Sequence, residues 1–396
     1  MTATQLRPPL APTIREQPAT TRKLVILGPP FVALVAGLSL IASRAPKGWT
    51  SIFDPATFNR WDAGQYLKIA HHGYRASTHC NISPAVHLCG NITWFPGYPG
   101  LIRLLASAHL GYLVAALAIS WICWYLTLLM VWVLSTRGGT ARGGACLALA
   151  AVFPGQVYFA ALFPISLVTF TVLLCIWLAT RTSFATRRAT VVRTGVAGVV
   201  AGLAYPLAFA AAPALLACAL VMRRRRTVML AGAASVVAGF GLVLAYAQLS
   251  VGKWNAYFIS EREEYGVRAH NPLDFLLTRY HQLLHPGSST WRTITHQGAL
   301  ATLLVVVAIA VTIPVLLRAR RQLELTDLAL LVSACVAWLI PYIGGGQLSI
   351  YRSEACLIVL VPLLRRLPVW VIGTLACAAA VIAFTMAPLF FSGALI

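Results

Sequence analysis

A carboxylate set among cations and aromatic rings is the clearest chemical signal in this chain. It lies in the stretch Phe53 to Pro99, which reads FDPATFNRWDAGQYLKIAHHGY, then a cysteine-flanked insert, then NITWFPGYP. Two of the ten acidic residues, Asp54 and Asp62, fall there. If Asn59 to Ala70 is helical, Asp62, Gln65, Tyr66 and Ile69 share one face, while Arg60, Lys68 and His71 lie elsewhere on the helix. A carboxylate beside a phenol, at a boundary between water and lipid, suits a general base acting on a hydroxyl. Capping a helix is the competing role. Asp54, directly before Pro55, reads as a cap; Asp62, next to Trp61 and inside the helical stretch, reads as functional.

The elements that must position Asp62 follow from composition. The 396 residues are 59% hydrophobic and only 10% charged, and apolar runs of about twenty residues recur, the length that crosses a bilayer core. The expected fold class is all-α: a polytopic membrane protein of about 11 transmembrane or partly spanning helices with large extracytoplasmic loops. The polar stretches are too short to enclose cores of their own, so residues 24–396 read as one membrane domain after a disordered cytoplasmic tail, residues 1–23. The net charge of +21 does not imply nucleic acid, because the arginines stand at the ends of apolar runs, where they mark cytoplasmic loops. Counting spans against those clusters puts the N-terminus inside, the C-terminus outside, and residues 44–111, 251–298 and 344–353 outside. The count requires Gly97 to His109 to lie along the outer interface without crossing. It also requires residues 190–221, interrupted at Tyr205-Pro206, to form two short helices returning to the Arg223 to Arg226 cluster.

This topology places Glu324 and Asp327 inside and leaves almost no acid in mid-span, which argues against an ion-coupled carrier. Among outer cations, Arg352 in Ser349-Ile350-Tyr351-Arg352-Ser353-Glu354 stands at headgroup depth, where a guanidinium can meet a lipid phosphate; pairing with Glu354 is the competing role. Arg60, Lys68, His71 and His72 are weaker candidates, since adjacent histidines on a regular helix do not face one ligand together. His79, Cys80, His87 and Cys89 invite a metal reading, but they lack paired zinc spacing and lie outside, so a Cys80 to Cys89 disulfide is preferred and no metal site is read. The other seven cysteines read as packing residues in spans. Asn81-Ile82-Ser83 and Asn91-Ile92-Thr93 are sequons only in a glycosylating host. The run Glu261-Arg262-Glu263-Glu264 in the second loop reads as a solvated helix face, with a role at an acceptor site as the minority alternative.

Arg60-Trp61-Asp62, then Tyr66, Ile69-Ala70, His72-Gly73-Tyr74 and Trp94-Phe95-Pro96-Gly97-Tyr98-Pro99, resembles the first extracytoplasmic loop of the PIG-V family. That family comprises GPI mannosyltransferase II enzymes and bacterial relatives within the GT-C superfamily. The resemblance covers residues 53–105. It implies transfer of a sugar, mannose first, from a polyprenyl-phosphate donor to a hydroxyl of a glycolipid or envelope glycan acceptor, with inversion. It makes Asp62 the base and suggests that Trp61, Tyr66, Tyr351, Arg352 and Glu354 join the other named cations in binding substrate. The partners expected are membrane lipid, donor and acceptor, with no nucleic acid and no cofactor; a divalent metal requirement stays open. Two departures stand out: Phe163-Pro164-Ile165-Ser166 replaces a segment that carries an acid in relatives, and Tyr205-Pro206 replaces an arginine. A flippase of lipid-linked sugars and a non-catalytic membrane subunit are the alternatives.

Overall fold

The computed structural model describes residues 19–77, 80, 87–181, 187–287, 289–318, 323–344 and 350–395. Most of the N-terminal tail, His79, the sequon at Asn81, Arg320, Arg321 and Ser349 lie outside the described residues.

The chain crosses first as α1 (Ala19–Ala42). It then builds a cap from α2 (Trp49–Phe53), a 3-10 turn at Pro55–Phe58, α3 (Ala63–His72), a two-residue hairpin pairing Ala76 with Gly90 and Ser77 with Cys89, and α4 (Gly97–Ala106). Next come α5 (Tyr112–Ser135), α6 (Thr140–Ala151), the short α7 (Val157–Ala160), α8 (Ile165–Thr180), α9 (Arg187–Ala204), α10 (Ala211–Val221) and α11 (Arg226–Val251). The second large loop carries α12 (Ala256–Glu263) and α13 (Pro272–Leu284). The chain finishes with α14 (Thr290–Arg318), α15 (Leu325–Ile343), α16 (Ile350–Ala355) continuing as a 3-10 segment Cys356–Arg366, and α17 (Val369–Phe391).

Contacts between helix termini sort the bundle into two ends. At one end Arg137 pairs with Glu324, Asp327 binds Arg365 and Arg366 at 2.5 Å each, Thr180 and Thr326 share a 2.8 Å hydrogen bond, and Trp132 donates to the Val25 carbonyl. The basic clusters gather there. At the other end His71 packs on Tyr112, Tyr74 on Tyr246, Phe58 on Phe390, and Thr385 donates to Gln297. Among the described residues, eleven helical segments lie between the ends: α1, α5, α6, α8, α9, α10, α11, α14, α15, α17 and α16 with its 3-10 continuation. This matches the expectation of about eleven.

Among the described residues, six helical stretches are long and apolar enough to cross a membrane: Leu24–Ala42, Tyr112–Gly138, Arg223–Val251, Thr290–Arg318, Leu325–Ile343 and Val369–Phe391. The remaining crossings are shorter or more polar, and α8 shows why that is tolerated. It is buried on nearly every side, so protein rather than lipid meets it.

Helix α4 does not cross. Tyr98 donates to the Ala116 carbonyl and shares a hydrogen bond with Ser120, both in the first turns of α5. Gly97 presses on the backbone of Leu203, where an added Cβ would stand 2.6 Å from the carbonyl oxygen. Two expected boundaries shift. A single helix over Gly143 to Ala161 gives way to α6, a break and α7, because Pro154 follows Phe153 and Gly155 takes φ +77°. The inward crossing after Ala355 is 3-10 rather than α-helical over Cys356–Arg366.

Candidate active site

Asp54 and Asp62 divide their roles along the chain. Asp54 accepts from the Ala56 amide at 3.0 Å and caps the 3-10 turn. Asp62 precedes α3 but makes no capping hydrogen bond, although its backbone is already helical. The helix begins at Ala63 rather than Asn59 because Trp61 takes the left-handed region, φ +48°, rare for a bulky side chain. That turn leaves the indole 50% exposed and directs the Asp62 carboxylate inward, where Arg352 of α16 forms an ion pair with it. Local strain of this kind persists where surrounding packing enforces it.

The Arg352 side chain is 5% exposed, and its guanidinium lies 5.4 Å from the centre of the Phe163 ring. Phe163 thus supports a cation by its ring face. Around this pair stand three tyrosines. Tyr66 meets Tyr98 and Phe163 edge-on, at 5.7 and 6.1 Å, and Tyr158 meets Phe163 and Phe390 at 5.4 and 5.6 Å. Tyr205, from the α9–α10 break, lies within electrostatic reach of Asp62 and Arg352. Burial first, then the neighbouring Tyr205 and Asp62, holds the Tyr66 phenol protonated well above its usual range.

Glu261 of α12 joins from the second loop, within electrostatic reach of both Arg352 and Asp62. Burial pushes its carboxyl up to about 7, against the pull of Arg352. The charged run is therefore not uniformly solvated. Glu263 accepts from the His87 amide at 2.9 Å, which lowers its carboxyl below the usual range, and Glu264 accepts from Ser260 and Tyr265.

Helix α16 sits in a fitted socket. The Tyr351 hydroxyl donates to the Ile294 carbonyl at 2.7 Å, and Glu354 accepts from Thr302 at 2.5 Å and Tyr342 at 3.2 Å. Both residues are buried and engaged with α14 and α15, so they steady the helix that carries Arg352. Gly298 admits this packing, since a Cβ there would lie 2.7 Å from the Tyr351 ring and 3.0 Å from Arg279. Gly155 does the same from the opposite side, where its Cβ would meet the Tyr351 carbonyl at 2.8 Å. The residue after it, Gln156, is 2% exposed, with neither end of its amide partnered among the described residues. The Tyr158 hydroxyl, 1% exposed, is likewise unpartnered.

Other residues singled out from sequence lie apart. Lys68, His71 and His72 are exposed on α3. The two imidazoles nevertheless come together, Nδ1 to Nδ1 at 3.3 Å, at the last turn of the helix. Arg60 is half-buried, with Nε unpartnered. Cys80 and Cys89 are bonded to one another. Five of the other cysteines are buried, Cys335 is half-buried, and Cys377 is exposed on α17.

Sequence reasoning missed Glu261, Tyr158 and Tyr205 as neighbours of Asp62, and it passed over Gln156. Tyr205 reads in sequence as part of a helix break and as a departure from the resembled family, and Glu261 only as one member of a charged run. For Gln156 the one local signal was a Pro-Gly break before a polar side chain in an apolar stretch.

No family model matches the chain, and no curated protein matches it. Among solved structures it is similar to the oligosaccharyltransferase of Archaeoglobus fulgidus in its apo form, with a TM-score of 0.52 and 12% sequence identity, over 94% of this chain. The match covers 57% of that protein, so this chain spans less than two thirds of its length. The likeness is one of fold, an all-helical architecture with several helices long and apolar enough to cross a membrane.

Proposed function

We propose that this chain is a membrane glycosyltransferase that moves a sugar, mannose first, from a polyprenyl-phosphate donor to a hydroxyl of a lipid-linked or envelope-glycan acceptor. The observation that carries the reading is the Asp62–Arg352 ion pair among tyrosines, at the end of the bundle opposite the arginine clusters. The GT-C type fold supports it, and the loop motif supports the narrower PIG-V-like assignment.

In the mechanism, Asp62 takes the proton of the acceptor hydroxyl as that oxygen attacks the anomeric carbon. Attack comes from the face opposite the phosphate, so the configuration inverts as the bond to the phosphate oxygen breaks. Arg352 receives the growing charge on the polyprenyl phosphate. Without donor, Arg352 is held by Asp62; donor phosphate competes for the guanidinium and frees the carboxylate to act as base. Glu261, partly protonated near neutral pH, stands ready to bind a hydroxyl. The bias of basic residues toward cytoplasmic loops supports a site outside the cytoplasm and an N-terminus inside. Membrane lipid, donor and acceptor are the partners, with no cofactor in the scheme.

The test is incubation of purified protein with a panel of labelled polyprenyl-phosphate sugars and membrane glycolipid acceptors. Transfer with inverted configuration is expected. Absence of transfer, together with lipid-linked sugar crossing reconstituted vesicles, would favour a flippase.

A further inference from the structure

Gln156 and Tyr158 present a problem the fold leaves unsolved. A buried amide with both ends unpaired, and a buried hydroxyl unpaired two positions along the chain, each destabilise a fold. Neither has a partner among the described residues. Both belong to one turn after the α6 break, and that turn rests on α16 through Gly155. The Tyr158 ring packs on Phe163, the same ring that lies under Arg352, and its hydroxyl is within electrostatic reach of Arg352, Asp62 and Tyr205. A neutral amide offers both donor and acceptor, and a phenol does so as well. That pairing suits alcohol groups, which both give and take hydrogen bonds, and does not suit a phosphate, which only accepts.

We propose that Gln156 and Tyr158 form a subsite for the hydroxyl groups of the sugar being transferred, a reading that rests on the proposed glycosyltransferase function. The lipid phosphate goes to Arg352, and the sugar hydroxyls complete the hydrogen bonding of the turn beside it. The subsite supplies specificity because a site built to bond a hydroxyl rejects a ligand lacking it.

The test compares polyprenyl-phosphate mannose, glucose and arabinose with bare polyprenyl phosphate, using wild type, Gln156→Met and Tyr158→Phe in detergent or nanodiscs. Each substitution removes hydrogen bonding while keeping size. Affinity for the preferred sugar-bearing lipid should fall about tenfold in each variant, and affinity for bare polyprenyl phosphate should hold. Gln156→Met should also keep or raise the melting temperature of the ligand-free protein, since it removes an unpaired buried amide. Equal loss for both lipids, no loss for either, or a lowered melting temperature overturns the subsite. Wild type that binds bare polyprenyl phosphate but no sugar-bearing lipid more tightly overturns it while sparing the reading of Arg352. Wild type that binds none of these lipids removes the proposed function itself.

Discussion

At the scale of single residues, Asp62 and Glu261 are two acids in different settings, one paired with Arg352 and one raised by burial. Asp62→Asn keeps the shape but not the proton-accepting oxygen, so transfer should fall roughly a hundredfold or more with folding intact. Arg352→Ala should instead weaken donor binding as well as turnover, and steady-state kinetics with labelled donor separate the two. Near-normal turnover in a folded Asp62→Asn protein would remove it from the mechanism. For Glu261 the sign of the pH effect follows from its raised carboxyl, about 7 when folded against roughly 4.3 for a free side chain. Between those values the folded protein keeps a proton that the unfolded chain has lost. The stability this gives is fully present below about pH 4 and is lost as pH rises through 7. Glu261→Gln cannot ionise, so its melting temperature should decline less than wild type from pH 5 to 8; parallel curves would contradict the burial of this carboxyl. The capping role of Asp54 was legible in sequence because the residue stands directly before Pro55, at the start of a turn. Glu261 was not, because a run of alternating charges looks the same whether or not one member turns inward.

At the scale of elements, the helix that carries Arg352 is six residues long and could not hold its place by itself. Its position comes from Tyr351, Glu354 and two glycines on opposite sides. Gly155→Ala sets a Cβ against the Tyr351 carbonyl at a backbone angle L residues resist. Gly298→Ala sets one against the Tyr351 ring. Each should destabilise by about 1–3 kcal/mol and weaken binding of polyprenyl phosphate, as read by thermal melts and lipid titration. Unchanged melts in both would show that the socket is looser than its geometry. The α9–α10 break was readable from Tyr205-Pro206, because proline ends helices by a local rule. The socket was not readable, because it joins Gly155, Gly298, Thr302, Tyr342 and Glu354 across much of the chain.

At the scale of the whole molecule, the arginine clusters meet at one end and the site lies at the other. If the clusters face the cytoplasm, a membrane-impermeant thiol reagent applied outside intact cells should modify Lys253→Cys and spare Arg224→Cys, both at exposed positions. Reversed labelling would invert the orientation and take the outer-face site with it. The number of crossings was legible because each basic cluster is a counting mark; the winding of one crossing was not. A 3-10 segment climbs about 2.0 Å per residue against about 1.5 Å in an α-helix. Residues 350–366 therefore reach about 31 Å, roughly the hydrocarbon thickness of a bilayer, where an α-helix of the same length would reach about 25 Å. This crossing is a taut cord, tied at one end by the arginines that grip Asp327 and at the other by Arg352 on Asp62. A thicker bilayer has no slack to draw on and pulls on Arg352 directly. Donor affinity in reconstituted vesicles should therefore peak at one acyl-chain length and fall as the lipids lengthen, while a chain-length-independent affinity would mean that the cord carries no load.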